Sequence, residues 1–466
     1  MITHSLRLFA LTLLCLVDCG LAQSLPAEQV AAIDKVANTV LNETGVPSAV
    51  VGIVKDGKIV FAQGYGNGRL DPAVPANRQM RYSIGSISKQ FTAAAVLLLQ
   101  EEKKLSLDDP VAKYFPSLTR AGEVSIRELL SHTSGYQDYY PQDYVPLFMV
   151  HPTTAQHIMD TWAKKPLDFD PGTRWQYSNT NYVIAGAIVE KITGHPLFDF
   201  LKKKIFDPLG MKTVIDTDQG GLGSSDAVGY FRYASGPAHP ETKEGPGWLS
   251  AVGELSMTVE DLLRWDISLM NQTVFKPESY RQLETDVHLK NGVSTRYALG
   301  LSVFNFDNHH ILQHDGEVTG FTANNVVLPE EHIAIAVLTN QMASGASGGI
   351  ARQILSKLFE SDTQQEDAAT ASARRILEGL QKGTLDRSLF TEDANQFFTQ
   401  AALNDYRSSL GPLGPPKSFT ARSKSLRGGM VFRSFTAAFE LRVFVVTTFE
   451  QPDGKLEQYL VVPREQ

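Results

Sequence analysis

The sequence predicts an α+β fold, in which strands from two distant parts of the chain form one antiparallel sheet and a mainly helical region is inserted between them. The first observation is a hairpin pattern at residues 48–65, where two apolar runs flank an Asp-Gly turn. The second is the return of strand patterns after Tyr297, with apolar runs at 324–328 and 332–338 around a Pro-Glu-Glu turn. The third is the absence of βαβ alternation between residues 90 and 290. These features are typical of an antiparallel sheet flanked by helices.

Three helices are predicted in the inserted region. Residues 90–100 are almost wholly apolar, and a helix that is apolar all round is a buried one. Residues 182–192 predict a second helix, and residues 258–269 a third. We expect Thr258 to be the N-cap of the third helix and Asp261 to complete a capping box.

A small second domain is predicted at the C-terminus. After a helix at 350–359, the polar segment 361–367 is interpreted as a boundary. Further patterns then indicate helices around 368–381 and 395–409 and strands at 430–440, 441–449 and 458–462. We therefore predict a main domain at residues 23–360 and a small α+β domain at residues 365–466.

Residues 1–22 have the pattern of a signal peptide. A weakly positive start precedes an apolar stretch at 8–17 and small residues that end at Ala22. We expect cleavage after Ala22 and a periplasmic or secreted protein. A lipoprotein attached through Cys19 is the alternative, although Asp18 fits a lipid-attachment site poorly. The apolar stretch is too short for a permanent membrane helix, and we expect no membrane span in the mature chain.

The composition narrows the possible functions. Cys15 and Cys19 both lie in the signal segment, so the mature protein is expected to have no disulfide and no cysteine nucleophile. The formal net charge of −8 argues against nucleic-acid binding, which needs a basic surface. His309, His310 and His314 could suggest a metal, but no His-Glu-x-x-His pattern accompanies them. We therefore expect no metal and no cofactor.

Ser86 and Lys89 are the first catalytic candidates. They form the only Ser-x-x-Lys in the chain, at the start of the apolar helix. Residues i and i+3 share a helix face, so the lysine amine can reach the serine hydroxyl. The helix N-terminus offers free N–H groups to an oxyanion, and a desolvated lysine loses its proton more easily. The alternative is a serine N-cap beside a solvated lysine.

Two further motifs could complete a site. Tyr177-Ser178-Asn179 precedes the second helix and supplies a tyrosine for proton transfer and an asparagine for a substrate amide. His314-Asp315-Gly316 leads into Glu317. Its glycine would allow a strand edge to approach a ligand closely, and the histidine could donate a hydrogen bond to a carboxylate or to Tyr177. The alternatives are a loop tyrosine beside a helix cap and an ordinary polar strand start.

In this order, the three motifs resemble those of the class C β-lactamase-related family, which includes penicillin-recognising DD-peptidases, D-aminopeptidases and carboxylesterases. The segment 127–135, with its Leu-Leu-Ser-His-Thr-Ser-Gly, is also similar to a segment of that family. The resemblance covers roughly residues 30–355 and implies a β-lactamase/transpeptidase-like fold. It does not cover the C-terminal domain.

The resemblance also implies a role for each matched residue. Ser86 would be the acylated nucleophile, and Lys89 and Tyr177 would share the proton transfers. Asn179 would contact the substrate amide. The oxyanion hole would consist of the backbone N–H groups of Ser86 and Glu317.

The third motif departs from the Lys-Thr-Gly of many relatives. His314 and Gly316 are assigned to substrate binding, and Asp315 replaces the middle residue. Asp315 and Glu317 lie on the same side of a strand, and we expect both to face the cleft. Two carboxylates there would repel an anionic substrate, which predicts faster cleavage of neutral esters or amides than of β-lactams. His132 and residues 248–253 are expected to serve packing and cleft shape.

These observations predict an exported serine hydrolase that acts through an acyl-enzyme on esters, amides, small D-peptides or β-lactams. The expected partner is a small-molecule ester, amide or peptide. The alternative is a non-catalytic binding or sensing module of the penicillin-recognising type. The presence of Ser86, Lys89 and Tyr177 together favours the enzyme.

Overall fold

The computed structural model describes residues 25–306 and 309–464. The predicted signal peptide, its cleavage after Ala22 and both cysteines lie outside the described residues. Among the described helices, none is long and apolar enough to cross a membrane. The chain divides into two compact units, Met1–Leu355 and Ser356–Gln466, which are described separately.

The first unit contains twelve β-strands within the described residues. They are β1 (Ser48–Lys55), β2 (Lys58–Leu70), β3 (Ala73–Pro75), β4 (Tyr82–Ser83), β5 (Ile215–Asp216), β6 (Tyr230–Arg232), β7 (Ala238–Pro240), β8 (Leu255–Met257), β9 (Ser302–Phe306), β10 (His309–Val318), β11 (Phe321–Leu328) and β12 (Ile333–Thr339).

The α-helices of the first unit are concentrated between β4 and β9. They are α1 (Ala27–Thr44), α2 (Ser88–Glu101), α3 (Ile126–Leu130), α4 (Ala155–Ile158), α5 (Asn179–Thr193), α6 (Leu197–Leu201), α7 (Asp207–Leu209), α8 (Thr217–Gly220), α9 (Val259–Asn271), α10 (Pro277–Glu284) and the beginning of α11 (Ala346–Leu380).

Seven of the strands form one antiparallel sheet in the order β3-β2-β1-β12-β11-β10-β9. The two ends of the unit meet where β1 pairs with β12, with Val51 opposite Val337. Strands β11 and β12 are buried along their whole length, because helices or loops cover both faces. A Cβ at Gly52 of β1 would lie 2.7 Å from side chains of α9, so α9 packs directly on the sheet. The predicted sheet with an inserted helical region is confirmed.

The predicted helices are present with small shifts at their ends. Helix α2 is buried along almost its whole length, as its apolar composition predicted. At α9, the Thr258 side chain accepts from the backbone N–H of Asp261, which confirms the N-cap. The second half of the capping box is wrong. The Asp261 carboxylate instead accepts from the backbone N–H and the hydroxyl of Thr213, both at 2.6 Å, since these two donors compete successfully with the cap.

The second unit combines helices with a four-stranded antiparallel sheet. It contains the end of α11, then α12 (Glu392–Phe397), α13 (Gln400–Leu410), β13 (Ser418–Arg427), β14 (Met430–Ala438), β15 (Val443–Glu450) and β16 (Leu456–Pro463), with the strands in sequential order. Its core includes Leu377, Phe435 and Tyr459. The Tyr459 hydroxyl donates to the carbonyl of Ala373 at 2.7 Å, which joins β16 to α11.

Two elements in the C-terminal part of the chain differ from the expectation. One helix, α11, runs from Ala346 to Leu380, so the separate helices predicted at 350–359 and around 368–381 are wrong, because the helix continues through the segment 361–367. That segment contains neither Gly nor Pro, and a polar helix without a breaker can continue. Strand β13 had no matching prediction, because its residues are mostly exposed and show no apolar run.

Candidate active site

Ser86 lies in a 3₁₀ turn, Gly85–Ile87, that directly precedes α2. Gly85 has φ +52°, and a Cβ there would lie 2.7 Å from the backbone nitrogen of Glu317. Only glycine combines this backbone conformation with such a close approach. The turn therefore holds Ser86 at the end of α2 and against strand β10.

Lys89 is in the first turn of α2 and has no exposed surface. Its Nζ has three oxygen partners: Ser86 Oγ at 3.0 Å, Asn179 Oδ1 at 2.8 Å and the carbonyl of Val252 at 2.8 Å. These contacts direct the amine at the serine hydroxyl, as the spacing of the two residues predicted.

Burial dominates the charge state of Lys89. It lowers the pKa of the amine from 10.5 to about 7, although the nearby carboxyl groups of Asp138 and Glu254 act in the opposite direction. A substantial fraction of the molecules therefore carries a neutral amine near neutral pH. A neutral amine beside a serine hydroxyl can accept its proton.

Tyr177 lies beside the same serine. Its hydroxyl is shielded from solvent and makes no hydrogen bond of normal geometry to any described residue. Burial raises the pKa of Tyr177, and Ser86 is near enough to lower it slightly. Lys89 Nζ lies 5.0 Å from the centre of the Tyr177 ring. The phenol is therefore protonated at neutral pH and can donate a proton near Ser86.

Asn179, the first residue of α5, connects Lys89 to the half-buried carboxyl group of Asp138. Its Oδ1 accepts from Lys89, and its Nδ2 donates to Asp138 at 3.3 Å. Its backbone N–H also donates to Asp138 at 2.9 Å. Asn179 is thus fixed in a position where it orients Lys89. The sequence analysis did not predict Asp138 as a site residue. Asp138 lies three residues after the His-Thr-Ser-Gly segment, and this short distance from a family motif could have indicated it.

Strand β10 brings the third motif to the nucleophile. Its pairing with β9 ends at Gln313, so the following residues present one strand edge to the turn that holds Ser86. A Cβ at Gly316 would lie 1.9 Å from the carbonyl oxygen of Ile84, and only glycine permits this approach. The backbone at Ser86 and the backbone at Glu317 are thereby brought close together, and the oxyanion hole that the resemblance implies stays a prediction.

His314 is buried beside the site but has a different partner from the one expected. Its Nδ1 lies 2.6 Å from the carbonyl of Asp315, and its Nε2 lies 2.8 Å from the Tyr297 hydroxyl. A carbonyl only accepts, so Nδ1 carries the proton and Nε2 accepts from Tyr297. Burial and the nearby Lys89 lower the pKa of His314 to about 4. The expected hydrogen bond to Tyr177 is wrong, and no motif pointed to Tyr297.

Asp315 and Glu317 share one side of β10, as predicted, but that side is opposite to the one with His314 and Gly316. The Asp315 carboxylate accepts from the side chain of Asn324 on β11, and that of Glu317 accepts from the backbone N–H of Ala343 at 2.7 Å. The expectation that both carboxylates face the cleft is wrong for Asp315, whereas Glu317 lies near enough to Tyr140 to help raise the pKa of that phenol. Strand alternation places the residues that approach the nucleophile on the other face.

His132 occupies the interior behind Tyr177. Its ring centre lies 4.2 Å from that of Tyr177, and its Nδ1 accepts from the backbone N–H of Ser178 at 3.1 Å. Burial holds its pKa well below 6.5, so the ring is neutral. These contacts are those of a packing residue.

The described residues contain no group of three or more His, Cys, Asp or Glu that could hold a metal ion.

Comparison with known proteins identifies the family. The model of the β-lactamase family matches residues 31–358. The chain belongs to the β-lactamase family. The resemblance seen in the sequence is therefore confirmed.

Similar members of the family have varied names. Protein flp of Staphylococcus aureus strain N315 is 28% identical over 327 residues, which are 66% of this chain and 62% of flp; the chain thus spans less than two thirds of that relative. Penicillin-binding protein 4* of Bacillus subtilis strain 168 is 26% identical over 69% of this chain and 70% of its own. The crystal structure of a D-stereospecific amidohydrolase from Streptomyces sp. has 26% identity and a TM-score of 0.60, over 69% of this chain and 96% of that one. The similarity to this structure confirms the predicted fold class.

Proposed function

We propose that this protein is a serine hydrolase in which Ser86 forms an acyl-enzyme. The observation that carries the proposal is the 3.0 Å contact between Lys89 Nζ and Ser86 Oγ, made by an amine whose pKa burial lowers to about 7. An amine with this pKa removes the serine proton at neutral pH without leaving a permanent charge in the interior.

The first half of the reaction follows from these positions. Neutral Lys89 takes the proton of Ser86, and Oγ attacks the substrate carbonyl carbon. The developing oxyanion accepts from the backbone N–H groups of Ser86 and Glu317, which stabilise the charge that appears in the transition state. The protonated phenol of Tyr177 then gives its proton to the leaving oxygen or nitrogen.

The second half regenerates the enzyme. The ammonium on Lys89 returns a proton to the Tyr177 oxygen, which again leaves a neutral amine. A water molecule gives one proton to Lys89 and attacks the acyl carbon. The bond between that carbon and Ser86 Oγ then breaks, Lys89 passes the proton to Oγ, and the acid leaves. In both halves Asn179 holds the amine in place through its Oδ1.

We propose esters, amides or small peptides as substrates, with β-lactams included in the same chemical class. Each contains an acyl carbon that this site can attack. The expected preference for neutral substrates was based on repulsion by Asp315 and Glu317. The structure does not support that basis, because both side chains face away from Gly316. We also propose that the protein is exported to the periplasm or the exterior, on the pattern of residues 1–22.

Labelling with an active-site serine probe tests the nucleophile. A fluorophosphonate should add its mass to the peptide that contains Ser86 in the wild type and in the control S117A, whose serine is exposed. It should not label S86A, and S86A should have lost hydrolysis of p-nitrophenyl acetate while its circular dichroism is unchanged. Undiminished hydrolysis by folded S86A would refute the proposal.

A further inference from the structure

A second group of polar side chains at this cleft lacks partners. Both carboxylate oxygens of Glu244 and the hydroxyl of Thr319 are shielded from solvent and have no hydrogen bond of normal geometry within the described part of the chain. The Thr319 hydroxyl is nevertheless close enough to lower the pKa of Glu244 and that of Tyr140. Thr319 therefore lies near both Glu244 and Tyr140, while the Glu244 carboxylate and the Thr319 hydroxyl have no partner of normal geometry among the described residues.

This group lies beside the catalytic residues. Thr319 is two residues after Glu317, so their Cα atoms are at most about 7 Å apart. The carbonyl of Tyr140 is 3.5 Å from the Asn179 side chain. Glu244, Thr319 and Tyr140 therefore mark a position next to the proposed oxyanion hole, about where a substituent on a substrate acyl group would lie.

The segment that carries Glu244 is held firmly. The next residue, Gly245, donates its backbone N–H to the carbonyl of Met149 at 2.7 Å, and Gly247 donates to Asp218 at 2.8 Å. A Cβ at Gly247 would lie 2.1 Å from the carbonyl oxygen of Thr153. The backbone that follows Glu244 is thus tightly packed.

A buried carboxylate without a hydrogen bond is unfavourable, and such groups in native proteins usually have a function. Burial raises the pKa of Glu244, and Lys243 only partly offsets this. A cationic hydrogen-bond donor would remove the penalty. A primary ammonium group fits, because its three N–H donors match a carboxylate and two hydroxyl oxygens.

We propose that Glu244, Thr319 and Tyr140 form a subsite for a protonated amino group on the substrate. The protein would then act on amides, esters or peptides with a free amine close to the scissile acyl carbon. This inference rests on the proposed serine hydrolase function, which supplies the orientation of the substrate.

The test compares a substrate that has the amine with one in which it is blocked. Alanine p-nitroanilide, as each enantiomer, and its N-acetyl derivative are assayed with the wild type, with E244Q and with the control E241Q, which removes the same charge from the same segment. E244Q should lower kcat/KM for the better free-amine enantiomer by about tenfold to a hundredfold, the loss expected for a charge-assisted hydrogen bond. Hydrolysis of the N-acetyl substrate and of p-nitrophenyl acetate should be unchanged, and E241Q should resemble the wild type.

A second readout uses pH. The ratio of kcat/KM for the two anilides cancels the ionisation of Lys89, and it should fall as the α-amine loses its proton near pH 8. In E244Q this fall should disappear. An E244Q effect that is equal for both anilides, or a wild type that prefers the N-acetyl substrate, would overturn the subsite.

Failure of the hydrolase proposal gives a different result. If S86A hydrolysed p-nitrophenyl acetate like the wild type, the nucleophile would be wrong whatever Glu244 does. The subsite is then tested separately by calorimetric titration of alanine amide into S86A and into S86A/E244Q. Equal affinity for both variants would refute an amine subsite, and binding that depends on Glu244 would support it.

Discussion

The ionisation of Lys89 should set the pH dependence of catalysis. Its pKa of about 7, against an ordinary 10.5, corresponds to about 5 kcal/mol between the two protonation states. If the neutral amine is the base, kcat/KM rises about tenfold per pH unit below pH 7 and levels off above pH 8. At pH 5 it should be about one hundredth of the plateau.

The assay is kcat/KM for a p-nitrophenyl ester between pH 5 and 10 at constant ionic strength, because this substrate has no ionising group of its own. His314, with a pKa of about 4, cannot produce a transition near pH 7. Glu254, buried close by with a pKa that desolvation raises to about 8, is the competing group. E254Q separates the two possibilities.

In E254Q the transition should remain and move to lower pH by less than about one unit, since Glu254 is mostly neutral at pH 7 and adds little to the pKa of Lys89. Disappearance of the transition in E254Q would assign it to the carboxyl group. A rate that continues to rise tenfold per unit to pH 9.5 would show that Lys89 is an ordinary, solvated lysine, and the reasoning from burial would fail.

Three further predictions follow from individual residues. K89A and Y177F should each lower kcat by about a hundredfold or more, and the double variant should lose much less than the product because the two act as one unit. G85A should lose ester hydrolysis with the fold retained, because the new Cβ meets the backbone of Glu317. D266N should be more stable than the wild type at pH 7 in urea denaturation, because burial raises the pKa of Asp266 to about 8.

The sign of the last prediction follows from proton linkage. The folded protein holds a proton on Asp266 that the unfolded chain has lost, so stability falls between about pH 4 and pH 8 by at most about 1.4 kcal/mol per pH unit. D266N should reduce that slope. Unchanged stability at pH 7 would indicate a carboxyl group that is not desolvated. An active G85A would contradict the close packing of the turn that holds Ser86. A Y177F variant with normal kcat would contradict the role of the tyrosine in proton transfer.

Much of the fold could be predicted because it depends on local patterns. The hairpin of β1 and β2 follows from two apolar runs and an Asp-Gly turn, and α2 from an apolar run too long for a strand. The continuous α11 could not be predicted, since polar residues without Gly or Pro fit a helix and a linker equally well. Strand β13 is defined by pairing with β14, which the local sequence does not reveal.

For the candidate site, the sequence was informative where two residues are close in sequence and belong to one element of secondary structure. Ser86 and Lys89 are one helical turn apart, and their contact follows from the helix. Asp138, Tyr297 and Glu244 come from segments far apart in sequence, and only tertiary packing brings them to the cleft. The wrong orientation predicted for Asp315 has the same origin. Strand alternation shows which residues share a face, but it does not show which face lies towards the cleft.

The buried amine of Lys89 also has a consequence for the evolution of the protein. A chain selected for thermal stability alone would replace this lysine with an apolar residue of similar length such as methionine, because the side chain has no exposed surface and burial opposes the charge of the amine. Such a replacement would fill the same volume between α2 and α5 and remove the base from the serine. The interior of α2 is therefore a place where selection for activity and selection for robustness act against each other.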